Sequence, residues 1–148
     1  MSTYTQLLYQ LVFSTKNRKP VLLKENRYLL YKYIWGILNR RRCRVYRING
    51  VEDHIHIVTH IHPSVAIASL MKDIKLSSGR FIREHNLFDG FDGWQEGYGA
   101  FSYSNEARKN LIDYVVNQEQ HHKTRTFSEE FRELLREHSV EVDERFLL

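Results

Sequence analysis

The sequence predicts an α+β fold: a ferredoxin-like four-stranded antiparallel sheet in β-α-β-β-α-β order, extended by C-terminal helices. Three observations predict it. Residues 4 to 14 and 54 to 60 alternate in the period of a strand, residues 24 to 41 carry apolar positions at helical spacing, and Asn49-Gly50 marks a hairpin between two strand-like runs.

In the first strand, Leu7, Tyr9, Leu11 and Phe13 share one face. Pro20 marks the exit toward the helix of residues 24 to 41, whose core stripe is Leu30, Ile34, Ile37 and Leu38. Strand 43 to 49 turns at Asn49-Gly50 into the run His54 to His60, so these two strands are expected to be antiparallel neighbours. Pro63 and Ser64 open a second helix with Ile67, Leu70, Met71, Ile74, Phe81 and Ile82 toward the core and Gly79 in its interior. Asp89 to Gly93 reads as a loop, and residues 97 to 103 as the last strand. A further helix follows the cap candidate Ser104, with Ala107, Leu111 and Val115 at helical spacing. A final helix from Ser128 to Glu137 shows Phe131, Leu134 and Leu135 as a docking stripe. One sheet face takes the helices; the other has room for a nucleic acid or the tyrosine helix.

His54-Ile55-His56 is the most informative stretch. Strand alternation puts both imidazoles on one face, while Ile55 and Ile57 anchor the strand from the other. Paired imidazoles on an exposed sheet face can chelate a divalent cation, although strand histidines are more often surface residues or bonded to a neighbour. Tyr114 and Gln118 lie four apart on the late helix, so a phenol and an amide project together, with His121 and His122 continuing along that face. Two imidazoles and one amide oxygen fill about half of an octahedral shell and leave positions for phosphate oxygens. A tyrosine hydroxyl beside such a cation is a candidate nucleophile: attack on a phosphodiester would conserve the bond as phosphotyrosine. Imidazole alone would suit zinc, nickel or manganese, whereas amide and phosphate oxygens favour magnesium or manganese. Asp53 either orients a ligand imidazole or solvates the strand start.

These residues sit within longer matching segments. Tyr9 to Lys16, Arg47 to Val51, Asp53 to His56, Trp94 to Ser102 and Tyr114 to His122 occur in one order along the chain. Together they resemble the single-tyrosine HUH transposases of small bacterial insertion sequences (the insertion-sequence 200/605 type), which cut and rejoin single-stranded DNA. The resemblance implies that His54, His56 and Gln118 hold the metal, that the metal is Mg2+ or Mn2+, and that Tyr114 attacks the DNA phosphate. It further implies DNA ends recognised as imperfect hairpins, and an active site shared between subunits or closed within one. Because each chain offers one nucleophilic tyrosine, two simultaneous cleavages predict a homodimer.

Composition agrees. A chain of 148 residues suits one domain, 1–148, which would carry both binding and chemistry. The single cysteine, Cys43, excludes an internal disulfide and fits a reducing bacterial cytoplasm. No apolar run is long enough for a bilayer, and Gln6 and Gln10 break any signal-peptide pattern. A net charge of +4 permits an anionic partner without demanding one. Its distribution says more: Lys16, Arg18 and Lys19 follow the first strand, and Arg40, Arg41, Arg42 and Arg44 cluster after the first helix, more cations than a helix dipole needs. These seven are the expected nucleic-acid contacts. Trp94 and Tyr98 are the first aromatics to consider for base stacking. Two other functions remain open: a domesticated single-strand nuclease that processes repeated hairpins, and a non-catalytic ferredoxin-like module that binds nucleic acid.

Overall fold

The computed structural model describes residues 2–143 and Arg145. Four strands, β1 (Leu8–Ser14), β2 (Arg44–Gly50), β3 (His54–His60) and β4 (Gly99–Tyr103), form one sheet in the order β2-β3-β1-β4. Every neighbouring pair is antiparallel. The β-α-β-β-α-β frame places β1 and β3 side by side at the centre.

Helices α1 (Lys24–Arg40) and α2 (Ile67–Glu84) cover one face. Their stripes, Leu30, Ile34, Ile37, Leu70, Met71 and Ile74, close over Leu11, Phe13, Ile55 and Ile57, all essentially without solvent exposure. The alternation that placed Ile55 and Ile57 in the core therefore puts His54 and His56 on the opposite face. That face is covered too. α3 (Arg108–Val116) packs Leu111 and Val115 on Leu8 and Val58, and α5 (Phe127–Glu137) packs Phe127, Phe131, Leu134 and Leu135 on Val12 and Phe101. A one-turn α4 (Gln118–His121) lies between them. The expected exposed sheet face is thus a second buried layer, because α5 carries enough apolar surface to seal it.

Four local expectations need correction. β1 begins at Leu8 rather than residue 4, because its partner β3 ends at His60, opposite Leu8. β4 begins at Gly99 rather than 97, since Lys75 Nζ takes the Gln95 carbonyl at 2.8 Å and ties that segment to α2. Ser104 makes no side-chain cap; a 3-10 turn over Asn105–Ala107 precedes α3 instead. Asn49-Gly50 is not the hairpin turn: both residues pair within β2, and the chain reverses over Val51 to Asp53. Gly50 is required for another reason, because a Cβ there would sit 2.2 Å from the His54 carbonyl oxygen. Asn49 donates its side-chain amide to the carbonyls of Val115 at 3.0 Å and Val116 at 3.1 Å, which supplies partners to the end of α3.

Candidate active site

The two histidines open the site from the first turn of β3. Neither has any solvent exposure. His54 donates its Nδ1–H to Asp53 Oδ1 at 2.7 Å, so Asp53 orients the ring from the adjacent position. His56 donates its Nδ1–H to Gln10 Oε1 at 2.6 Å, and Gln10 Nε2 donates in turn to Tyr103 Oη at 2.8 Å. Both rings therefore present Nε2 to the same space under α5, with centroids 5.1 Å apart.

The tyrosine helix reaches that space from the side. Tyr114, on α3, has its ring centroid 6.1 Å from that of His56. The helix breaks at Asn117, yet Gln118 stays at the site: its Oε1 lies 3.4 Å from His54 Nε2 and its Nε2 donates to Glu130 Oε2 at 3.2 Å. His54, His56, Gln118 and Tyr114 are thus brought together within one chain. His121 stacks on Tyr114 at 4.5 Å, and His122 turns its Nε2 inward.

Three contributors were not expected from the sequence. Glu130, on α5 and 1 % exposed, is the hub: it accepts from the Tyr114 hydroxyl and from Gln118, and lies 3.0 Å from His56 Nε2 and 3.1 Å from His122 Nε2. Arg125 donates to Tyr114 Oη at 3.1 Å. Gln10 holds His56. Their signals were present: Glu130 is a charge within the Phe127-Phe131-Leu134 stripe, and Gln10 is a polar residue on the buried second face of a central strand. Burial of such groups requires partners.

Electrostatics follow from this packing. Burial pushes the His56 imidazole down to about 4, so the ring is neutral at physiological pH. For His54, burial acts the same way, but the bonds and charges of Asp53 and Glu130 outweigh it and raise the imidazole. Burial also opposes ionisation of Glu130, yet hydrogen bonds with His122, His54 and His56 hold its carboxyl far below the usual range. The Tyr114 phenol is pushed up by burial first and then by the Glu130 charge, while Arg125 pulls the other way.

A groove of about 280 Å³ leads to the site between α3 and α5, lined by Tyr114, Arg125, Glu130, Glu133 and Gln10 among others. It ends on the phenol and the carboxylate; the imidazoles lie behind Glu130. Lys16, Arg18 and Lys19 lie at this end of the sheet, where Thr15 N bonds Asp53 O at 2.9 Å and Arg18 bonds Ser128 of α5. Lys19 is paired with Asp92 at 2.7 Å. The arginine cluster does not join them: Arg44 stands opposite His60, the far end of β3, about 20 Å from His54 by strand rise. Arg40, Arg41 and Arg42 lie where α1 ends, and Arg41 pairs with Asp73 of α2 at 3.3 Å. Trp94 is committed to packing on Phe13 at 4.8 Å and to a bond with Ser78 at 3.1 Å.

On β3, the second strand of a hairpin, the histidine pair is thus met by the helix that carries Tyr114, over one antiparallel sheet. Residues 3–118 match the family described as "Transposase IS200 like", and the chain belongs to that family. It is 26% identical over 118 residues to the ISDra2 transposase TnpA of Deinococcus radiodurans, covering 76% of this chain and 84% of that protein. Two solved structures share the fold. One is a candidate transposase from Deinococcus radiodurans R1 (TM-score 0.63, 22% identity, 80% of this chain and 95% of that one). The other is a REP-associated tyrosine transposase bound to a REP hairpin (TM-score 0.61, 17% identity, 82% and 74%). Among the described residues, no helix is long and apolar enough to cross a membrane.

Proposed function

We propose that this chain is a DNA strand transferase that cleaves and rejoins single-stranded DNA at hairpin ends through Tyr114, in one domain spanning residues 1–148. The observation that carries this reading is the meeting of Tyr114 with the His54 and His56 pair inside a single chain. The hairpin-bound structural relative supports hairpin ends as the substrate.

In the transfer, the Tyr114 oxygen forms a bond to phosphorus, the bond to the 3′ oxygen breaks, and a 5′-phosphotyrosine remains. Glu130 accepts the phenol's hydrogen bond and orients the hydroxyl, the phenol proton leaves to solvent through the groove as the oxygen attacks, the departing 3′ oxygen takes up a proton as a hydroxyl, and Arg125 stabilises charge developing on the phenol oxygen. Attack of the 3′ hydroxyl of another strand on the phosphotyrosine reverses the step and joins the ends. His54, His56 and Gln118 would hold Mg2+ or Mn2+, which the neutral state of His56 and the inward lone pairs fit. When bound, the cation would act as a Lewis acid on the phosphate oxygens. Lys16, Arg18 and Lys19 flank the site and contact the DNA backbone; Arg40, Arg41, Arg42 and Arg44 would act on a more distant stretch of DNA. The groove beside Tyr114 marks the side of approach, and because the imidazoles are sealed, α5 has to open for a phosphate to reach them. One nucleophilic tyrosine per chain makes a homodimer the working unit, with each site closed in its own protomer.

The likeness to the REP-associated enzyme supports a second reading, a domesticated nuclease acting on repeated hairpins. Element ends flanking the gene favour mobility, and scattered solitary repeats favour domestication. The test of the shared chemistry is incubation with labelled hairpin-ended oligonucleotides and Mn2+. An adduct that survives denaturation and is lost in Tyr114→Phe supports the proposal; binding without any adduct on cognate ends rejects it in favour of a binding module.

A further inference from the structure

We propose that His122 and Glu130 join His54, His56 and Gln118 as ligands of the cation, so that a shell with three imidazoles and a carboxylate selects a borderline divalent ion, Mn2+ or Zn2+, over Mg2+. This rests on the reading that a divalent cation binds at the histidine pair. Both added ligands lie beyond residues 3–118, the part of the chain that carries the family likeness.

The argument begins with the two oxygens of Glu130. Oε2 has true donors, the Tyr114 hydroxyl and the Gln118 amide. Oε1 faces ring nitrogens, His56 Nε2 at 3.0 Å and His54 Nε2 at 3.3 Å, contacts that either a proton on the ring or a cation can bridge. In its neutral form each ring gives its Nδ1 proton to Asp53 or Gln10, and its Nε2 then turns a lone pair toward that oxygen. Gln118 repeats the pattern, for its amide nitrogen is engaged by Glu130 and its Oε1 faces His54 Nε2 at 3.4 Å. His122 Nε2 completes the ring of donors at 3.1 Å. Lone pairs converging in a dry space repel one another unless a positive charge stands among them.

Spacing fits that charge. Ligand atoms about 2.1 Å from a common ion stand about 3.0 Å apart at a right angle and about 3.4 Å apart at a tetrahedral one. The three distances from the Glu130 oxygen, 3.0, 3.1 and 3.3 Å, lie within this interval; the four atoms span up to 4.8 Å, so the outermost ones would draw together around the ion. Magnesium prefers an oxygen shell rich in water, whereas three imidazoles suit softer ions. Glu130 also sits on α5, so opening of that helix for a phosphate would withdraw the carboxylate and free a position for a phosphate oxygen.

The experiment uses the full chain, freed of metal and titrated calorimetrically with MnCl2, ZnCl2 and MgCl2, followed by electron spin-echo spectroscopy of the Mn2+ form. One Mn2+ per chain is expected, Zn2+ binding more tightly and Mg2+ at least about 100-fold more weakly than Mn2+. The spectrum should count three coupled imidazoles, falling to two in His122→Asn, and Glu130→Gln should weaken Mn2+ by at least about tenfold. Two imidazoles in the unmodified chain, Mg2+ as the tightest ion, or Glu130→Gln with unchanged affinity would overturn the assignment and leave Glu130 as the hydrogen-bond acceptor of Tyr114. The unmodified spectrum decides even where a variant does not fold. Failure of Tyr114 to form an adduct would reject the proposed reaction without touching the ligand count, whereas an adduct formed with only two imidazoles on the ion rejects the ligand set alone.

Discussion

His56 Nδ1 and Gln10 Oε1 lie 2.6 Å apart, a buried bond between adjacent central strands that fixes which nitrogen of the ring is free. Gln10→Leu keeps the approximate volume and removes the acceptor. Cation affinity is expected to fall about 10- to 100-fold with the fold retained. Calorimetric titration with Mn2+ checks it; an unchanged affinity would mean that the ring needs no such support.

Arg125 touches the oxygen that is to become an anion. Arg125→Gln should slow adduct formation by about 10- to 100-fold while leaving cation affinity near that of the parent. Single-turnover kinetics on a labelled hairpin oligonucleotide measure this. Equal rates would remove Arg125 from the chemistry.

Gly50→Ala places a methyl group 2.2 Å from the His54 carbonyl oxygen and 3.1 Å from Ile55 Cα, both backbone atoms that cannot rotate away. Destabilisation of more than about 3 kcal/mol is expected. Urea unfolding reads it, and a loss below about 1 kcal/mol would show that β2 and β3 separate without cost.

Thr126 accepts from Glu129 N at 3.2 Å while Glu129 accepts from Thr126 N at 3.3 Å, the reciprocal cap that starts α5. Thr126→Ala should cost about 1 kcal/mol and act locally. Hydrogen exchange should accelerate over residues 127–137 with the sheet amides unaffected. Uniform acceleration would mean that α5 unfolds only with the rest of the molecule.

Tyr103 gives the pH test. Its phenol is pushed up to about 12 by burial, with Glu137 adding and the bond from Gln10 opposing. An acid whose folded value exceeds its unfolded value of about 10 keeps its proton longer in the folded state. Its stabilising contribution is complete below pH 10 and lost as the pH rises through 12. After screening, the loss is about 1 to 2 kcal/mol. Tyr103→Phe should flatten the decline of the thermal midpoint over that interval, at the expense of about 1 kcal/mol at neutral pH for the lost Gln10 bond. Parallel curves for parent and variant would assign the alkaline loss elsewhere.

Much of the frame was legible because its signals are local. The stripe of Leu30, Ile34 and Leu38 predicted a helix over 24 to 41, and Lys24–Arg40 is helical; the stripe of Phe131, Leu134 and Leu135 likewise marked α5. Asn49-Gly50 misled because the same dipeptide serves two needs, a turn with positive φ and a close backbone approach, and spacing alone does not separate them. The arginines after α1 read as one patch with the site because charge in sequence carries no depth; the sheet puts them at the other end of β3.

From the chain alone came the sheet, the helices that cover its first face and the pairing of His54 with His56 on the other, since periods of 2 and 3.6 residues are properties of neighbouring backbone units. The convergence of Gln10, His122 and Glu130 on that pair was decided only by tertiary structure. Residues separated by up to 120 positions meet there because of β1–β3 register and the docking of α5, and no local period encodes a meeting of that kind.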